Sequence, residues 1–179
     1  GNENITLKYT DSNIFANSEM TLDVYTQDIE NVFFFSPNLA NPDEGYDGGQ
    51  SIIRSEKRGA RATFNTAVDF DGVEATFIYG IDALKDTTSQ PLVDGRVWVP
   101  EMEMDSLAGF LQTKWVISDD VIVKAGVRRE SIDLSVDDYE TLKLCRSETQ
   151  CSVPLQVTGD TIDYDATTYN IAIKYNWSD

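Results

Sequence analysis

Alternation of apolar and polar side chains runs through most of this chain, and helical periodicity is nearly absent. In VEATFIYGIDA, residues 73–83, every second side chain from Val73 to Ala83 is apolar, and Ile78 alone breaks the pattern. Side chains two residues apart lie on the same face of a β-strand. The alternation therefore predicts strands with one apolar and one polar face, and hence an all-β protein.

The same test predicts about seven long strands that form an antiparallel up-and-down meander. Short turns such as DFDG and SDD alternate with long polar connections at 36–51, 85–106 and 138–160. Short turns at one end of a sheet and long loops at the other are typical of a transmembrane β-barrel. Most of the predicted strands also reach the length of about 9–11 residues that a tilted membrane-crossing strand needs. Their predicted ranges are 3–10, 19–35, 52–68, 73–84, 107–117, 121–137 and 163–177.

Charge and composition exclude several function classes. The chain has 31 acidic and 14 basic residues, no histidine and a net charge of −17. It has no basic stripe that could neutralise phosphates, which argues against a nucleic-acid partner. Histidine, the commonest general base and metal ligand, is missing, and no nucleophile motif such as G-x-S-x-G occurs. We therefore predict no enzyme activity, no metal site and no cofactor.

Two cysteines lie close together in LCRSETQCS, at Cys145 and Cys151. A disulfide between them would close a short polar loop, and the alternative is a pair of free thiols. Exposed free thiols are reactive, so we predict the disulfide, which implies an oxidising compartment.

Aromatic residues on the predicted apolar faces gather near the short turns. An aromatic girdle at a membrane interface has this arrangement. The alternative is that the same rings anchor the core of a soluble extracellular β-sandwich that binds carbohydrate or protein. The residues concerned are Tyr9, Trp115, Tyr175 and Trp177.

Three segments carry a resemblance to a known family. LAGFLQTKWVISDDVIVKAGVRRESID resembles the repeated hairpin of TonB-dependent outer-membrane receptors, in which an aromatic residue and a short turn lead into a strand ending Ala-Gly-aliphatic-Arg. TTYNIAIKYNWSD is similar to the strand that follows it. ENITLKYTDSNIFANSEMTLDVYTQDIENVFFF resembles a barrel hairpin of siderophore receptors of the hydroxamate or aerobactin type. A complete receptor barrel has about 22 strands, so residues 1–179 are expected to be an internal part of one, without plug domain and C-terminal strands.

The resemblance implies import of a ferric siderophore across the bacterial outer membrane. The TonB complex would energise it through the plug, and lipid would surround the apolar faces. The acidic predicted loops favour a neutral or weakly charged chelate. If the apolar stripe of each strand faces lipid, the residues that alternate with it face the lumen. These residues include Arg61, Glu74, Asp82, Lys114, Lys124, Arg128 and Glu130. Candidate ligand contacts are Arg61 and Arg128 in the strands and Tyr46, Arg96 and Trp98 in the loops, each with the alternative of a solvated side chain or an internal salt bridge.

Overall fold

The computed structural model describes residues 1–15, 17–34, 50–92, 95–143, 145–147 and 150–177, with the backbone alone at 34 and 145–147. Seven long strands and four short ones make up most of this part of the chain. The long strands are β1 (Asn2–Phe15), β2 (Ser18–Phe34), β3 (Gln50–Phe70), β4 (Val73–Pro91), β5 (Val97–Val116), β6 (Val121–Val136) and β11 (Asp160–Tyr175). The short strands are β7 (Tyr139–Glu140), β8 (Cys145–Ser147), β9 (Gln150–Cys151) and β10 (Gln156–Val157).

The long strands form one antiparallel sheet in the order β1-β2-β3-β4-β5-β6-β11, which confirms the predicted seven-stranded meander. The connection between β6 and β11 adds two small ladders, β7 with β10 and β8 with β9. Among the described residues, no helix is long and apolar enough to cross a membrane.

Short turns close one end of the sheet, and we call it the turn end. In the β3–β4 turn, Asp71 and Gly72 have positive φ angles of 52° and 93°, a conformation that Asp tolerates and Gly favours. The Gly72 amide donates a hydrogen bond of 2.8 Å to the Asp69 carboxylate, which fixes the turn. The β5–β6 turn is closed by a backbone bond of 3.0 Å from the Ile117 amide to the Val121 carbonyl. The opposite end, with the longer connections, is the loop end.

The register divides the sheet into two faces. Face A carries the row in which Leu22, Ala62 and Ile81 lie opposite one another, and face B carries the next row, with Asp23, Arg61 and Asp82. Directly opposed residues of neighbouring strands point to the same face. All seven predicted apolar stripes therefore fall on face A. The seven residues predicted to face a lumen all fall on face B.

No second sheet covers face A within the described residues. Ile81, Leu107 and Ile173 on this face are 60%, 61% and 69% exposed. The buried apolar residues of the described chain are only Ala75, Leu92 and Ala108. A soluble sandwich would bury its apolar stripes between two sheets, so the structure contradicts the β-sandwich alternative.

Several strands are longer than predicted. β1 continues to Phe15 rather than ending at residue 10, and β11 starts at Asp160 rather than 163. The predicted loop at 85–106 is wrong over most of its length, because β4 continues to Pro91 and β5 starts at Val97. Where β4 and β5 continue beyond the apolar stripe, face A carries Lys85, Thr87, Glu103 and Asp105, so alternation does not reveal these extensions, and the backbone ladder holds them instead. The predicted loop at 36–51 lies mostly outside the described residues.

The apolar part of face A is slanted relative to the rows of paired residues. At the turn end, Ser18 lies opposite Thr66, four residues before β3 reaches its own turn after Phe70. Toward the loop end, the apolar stripe of β5 ends at Leu107, which lies opposite Ser131 of β6. On β6 the stripe ends four residues earlier, at Val127. From one strand to the next along the chain, both the turn-end and the loop-end limits of the apolar region shift toward the turn end. Strand tilt and shear in a closed barrel require such a stagger.

Candidate functional site: face B and its two ends

A charge network occupies the middle of face B. The Asp82 carboxylate on β4 accepts two hydrogen bonds from the Arg128 guanidinium on β6, of 2.7 and 3.0 Å, and one of 3.1 Å from Arg61 on β3. Arg128 also donates to Glu130 at 3.0 Å. The intervening strand β5 contributes Ala108, which lies opposite Asp82 and is 2% exposed. This small side chain leaves room for Arg128 to reach across β5.

Glu130 completes the network at its loop-end edge. Its carboxylate accepts a hydrogen bond of 2.8 Å from the Ser106 hydroxyl. The network thus balances two guanidinium groups with two carboxylates.

The predicted ligand contacts do not converge on one place. Arg61 and Arg128 both form salt bridges with Asp82. For these two residues the structure therefore shows the internal salt bridge that the sequence analysis gave as the alternative to a ligand contact. Arg96 lies at the loop end, where its carbonyl accepts a hydrogen bond of 2.7 Å from the Leu92 amide, and Trp98 belongs to β5 close by. Tyr46 lies outside the described residues.

An apolar patch on face B, the loop-end patch, was not predicted. It covers the loop-end halves of β5, β6 and β11, where Ile162 and Tyr164 are 60% and 62% exposed. The register places it directly beside the charge network, since Ile132 lies opposite Ser106 and Tyr164. Its residues are Met102, Met104, Ile132, Leu134, Val136, Ile162 and Tyr164.

Face A is charged over the same stretch. Asp105, Asp133 and Asp163 lie in one row, each opposite the next. Partial desolvation raises the pKa of Asp133, as do its hydrogen bond with Asp163 and the neighbouring negative charges. Among the described residues, no group of three or more acidic or cysteine side chains is arranged to hold a metal ion. On β5, β6 and β11, the two faces thus exchange polarity between the turn-end and loop-end halves of the strands.

Aromatic rings pack together at the turn end of face A. Trp115 stacks on Phe70 with ring centroids 5.6 Å apart and meets Phe77 edge-on at 5.5 Å. Tyr175 and Trp177 form a second edge-on pair at 5.6 Å. These positions agree with the predicted rim, whose contact with lipid stays a prediction. Phe70 was missed because it was assigned to the DFDG turn, and Phe77 because it was counted only as part of the apolar stripe of β4.

Tyr9 lies farther from the turn than predicted. It is opposite Leu22, in the middle of face A, because β1 runs on as far as Phe15. Phe15 takes the place nearer the turn and stacks on Phe64 at 6.0 Å. Tyr9 itself is 52% exposed, so it could still contact lipid.

The two cysteines face each other in the β6–β11 connection. Cys145 on β8 lies opposite Cys151 on β9 in the backbone register, and no free cysteine occurs among the described residues. The side chain of Cys145 lies outside those residues, so the disulfide stays a prediction.

Comparison with known proteins identifies a related fold. No protein-family model matches the chain. Among solved structures, it superposes on the closed form of the ferric-catecholate import receptor Fiu from Escherichia coli K12, with a TM-score of 0.71 and 9% sequence identity. The match covers 99% of this chain and 31% of the receptor chain, so this chain spans about a third of that receptor's length. The chain has the fold of a receptor-barrel segment.

The finer family assignment is not supported by this match. The solved neighbour is a ferric-catecholate receptor, whereas the sequence resemblance pointed to the hydroxamate or aerobactin type. At 9% identity the likeness shows the fold alone. The hydroxamate assignment rested on soft alternating patterns, which any barrel hairpin of this length satisfies.

Proposed function

We propose that this chain is part of the β-barrel of a TonB-dependent receptor in the bacterial outer membrane, and that the receptor imports a ferric siderophore. The observation that carries the proposal is the polarity of face A. Its apolar stripe spans 60–70 on β3, 73–83 on β4 and 107–115 on β5, then gives way to Arg58, Lys85 and Asp105. A tilted strand needs about 9–11 residues to cross a membrane, and these stripes have that length.

Strand length supports the same conclusion. The 21 residues of β3 extend for about 70 Å, whereas the apolar band of an outer-membrane barrel is about 25 Å tall. Such a strand must project beyond the lipid at one end. The polar extensions of β3, β4 and β5 lie at the loop end, together with the longer connections, so the loop end is extracellular and the turn end periplasmic. Face A contacts lipid, and face B lines the lumen.

The ligand would meet face B from the extracellular side. The loop-end patch offers apolar contacts there, and Arg96, Trp98 and Tyr46 remain candidate contacts. In the charge network, Arg61 and Arg128 are already bound to carboxylates. The face therefore favours a chelate with apolar groups and little negative charge, in line with the net charge of −17. The TonB complex would act through a plug domain, and no cofactor is needed.

Site-directed spin labelling of the protein in lipid vesicles tests the membrane part of this proposal. Single cysteines replace residues 79–86 in a background without Cys145 and Cys151, and each nitroxide is tested with oxygen and with a water-soluble nickel chelate. We expect labels at 79, 81 and 83 to be relaxed by oxygen, as lipid-exposed sites are. The label at 85 should be relaxed by the chelate. Uniform access of the chelate at 79–83 would contradict the membrane assignment.

Uptake of radioactive iron tests the transport part. Iron-starved cells carrying the receptor gene should accumulate iron from one or more ferric siderophores, and cells lacking either that gene or TonB should not. Tyr164→Asp in the loop-end patch should lower uptake by weakening ligand binding. Thr161→Asp, on the loop-end part of the same strand but on face A, is the matched control. Equal uptake with and without the gene for every siderophore would contradict the proposal.

A further inference from the structure

Two of the three methionines of this chain lie side by side on face B. Met102 and Met104 are two residues apart on β5, so both side chains lie on the same face of the strand. Their Cα atoms are about 7 Å apart, and both residues are half-buried. The third methionine, Met20, lies on face A of β2. The sheet therefore places a pair of thioethers together at the loop end.

The neighbours of this methionine pair differ between its two sides. On β4, Asp86 lies opposite Met104 and Thr88 lies opposite Met102, so the Cβ atoms of each couple are about 5 Å apart. On β6, the same two rows of face B carry aliphatic side chains. The methionine pair thus forms the β4 edge of the loop-end patch, between side-chain oxygens and an aliphatic surface.

The charges close to the pair nearly cancel. The Asp86 carboxylate accepts a hydrogen bond of 3.2 Å from the Thr88 hydroxyl and forms an ion pair of 3.1 Å with Lys57 on β3. Lys57 lies in the same row, on the side of Asp86 away from Met104. The uncharged sulfur atoms therefore decide which kind of ligand this place selects.

Thioether sulfur is a soft donor. Soft sulfur ligands select copper(I), whereas magnesium, calcium and manganese prefer oxygen ligands. A methionine side chain is unbranched and has three rotatable bonds, so both sulfurs of the pair can turn toward one ion between them. The absence of histidine removes the imidazole ligands that zinc, nickel and copper(II) commonly take. It does not affect thioether ligands, and the donor set points to a soft monovalent cation.

We propose that Met102 and Met104, with the Asp86 carboxylate as a third ligand, form a binding site for copper(I). Both sulfurs would coordinate the ion, and an oxygen atom of Asp86 would bind it from the β4 side. The net charge of −17 attracts cations to the chain. The site goes beyond the import of a ferric siderophore, because it depends only on the pairing of β4 with β5.

Competition for copper(I) tests the site. The purified protein in detergent carries Cys145→Ser and Cys151→Ser, so that thiols do not bind the ion. It is titrated with copper(I), under ascorbate and without oxygen, against a coloured copper(I) chelator. We expect a single equivalent to bind. The double variant Met102→Leu, Met104→Leu keeps the apolar volume but removes both sulfurs. Its affinity should fall at least about tenfold, since loss of even an outer-shell partner of a metal site has an effect of that size.

Met20→Leu is the matched control. It removes the one thioether that lies on face A, and it should leave the affinity for copper(I) unchanged. X-ray absorption at the copper edge gives a second measurement, with two sulfur neighbours expected in the protein and one in Met104→Leu. That single variant also serves if the double variant folds poorly. Excess magnesium should not compete, because it requires a shell of oxygen ligands.

Two results would overturn the proposal. One is equal affinity of the double leucine variant and the unsubstituted methionine pair for copper(I). The other is an absorption spectrum with oxygen or nitrogen neighbours alone. Because the titration uses purified protein and no siderophore, its outcome does not depend on the transport proposal. Copper(I) binding through the methionine pair without any iron uptake would refute the transport proposal and support the copper site.

Discussion

The charge network on face B gives the most direct test of the structure, through the substitution Asp82→Asn. Asparagine keeps the size of the side chain but removes the negative charge that holds two guanidinium groups. Arg128 keeps Glu130 as a partner, whereas Arg61 has no second ion pair with a carboxylate of the described residues. The variant should fold with the same register and a lower free energy of unfolding.

The size of the effect follows from exposure. The side chains of Asp82 and Arg128 are 12% and 33% exposed and share two hydrogen bonds of 2.7 and 3.0 Å. A charge-assisted hydrogen bond contributes about 1.5–3 kcal/mol, and screening by solvent favours the lower end for this pair. The Arg61 side chain is 55% exposed, so its pair adds less than about 1 kcal/mol. Asparagine retains one acceptor, and we expect a loss of about 2 kcal/mol.

Urea unfolding in detergent micelles measures this loss, followed by tryptophan fluorescence and by the heat-dependent gel mobility that barrels show. The matched control is Glu103→Gln, which breaks the exposed pair with Lys85 and should have a much smaller effect. A double-mutant cycle of Asp82→Asn with Arg128→Gln should give a coupling energy on the order of 1.5 kcal/mol. The reasoning fails if Asp82→Asn costs no more than the control, or if the coupling energy is zero.

Three further predictions concern other parts of the sheet. Gly80→Ala should lower the free energy of unfolding by about 1–3 kcal/mol in the same urea assay, because the added Cβ would overlap a backbone carbonyl oxygen of the neighbouring strand. Gly109→Ala should be tolerated, because the nearest atom to its added Cβ is 4.0 Å away. Asp133→Asn should raise the urea midpoint of unfolding at pH 7 but not below pH 3.8. The reason is that a carboxyl group whose pKa is raised in the folded protein costs stability when it ionises. Equal gains at both pH values would contradict this. Alkylation without reductant should leave Cys145 and Cys151 unlabelled, and mass spectrometry should find the chain two hydrogens lighter than after reduction.

The turn-end half of the sheet could be predicted from sequence because its two faces differ in polarity at alternate residues. Val73 to Ala83 satisfy that demand without a break on face A, and the DFDG turn supplies the residues that positive φ angles need. Local sequence alone therefore predicts both the strand and its turn. The same alternation predicts which face carries Arg61 and Arg128. It does not predict that both bind Asp82, because that depends on how the strands pair.

The loop-end half was mispredicted for a physical reason. In this half face A is polar as well, so polarity no longer distinguishes a strand from a loop. Residues 85–91 look like a loop by composition, yet they belong to β4. One signal was present and was missed: in MEMDSL, residues 102–107, the apolar positions change from even to odd numbers. A change of phase within a continuous strand indicates that its faces exchange environments.

That change of phase also explains how the charge network and the loop-end patch come to be neighbours. If the chain lies in the membrane as proposed, face A passes from lipid to water here and no longer needs apolar residues, and face B no longer has to carry all the polar ones. Arg128 and Glu130 lie at this transition on β6, since Val127 ends the apolar stripe of face A and Ile132 begins the patch on face B. The network thus separates the polar middle of face B from the apolar loop-end patch. Under the proposed function, a ligand that leaves the loop-end patch would meet paired charges next, and its own charge would decide how far it is drawn inward.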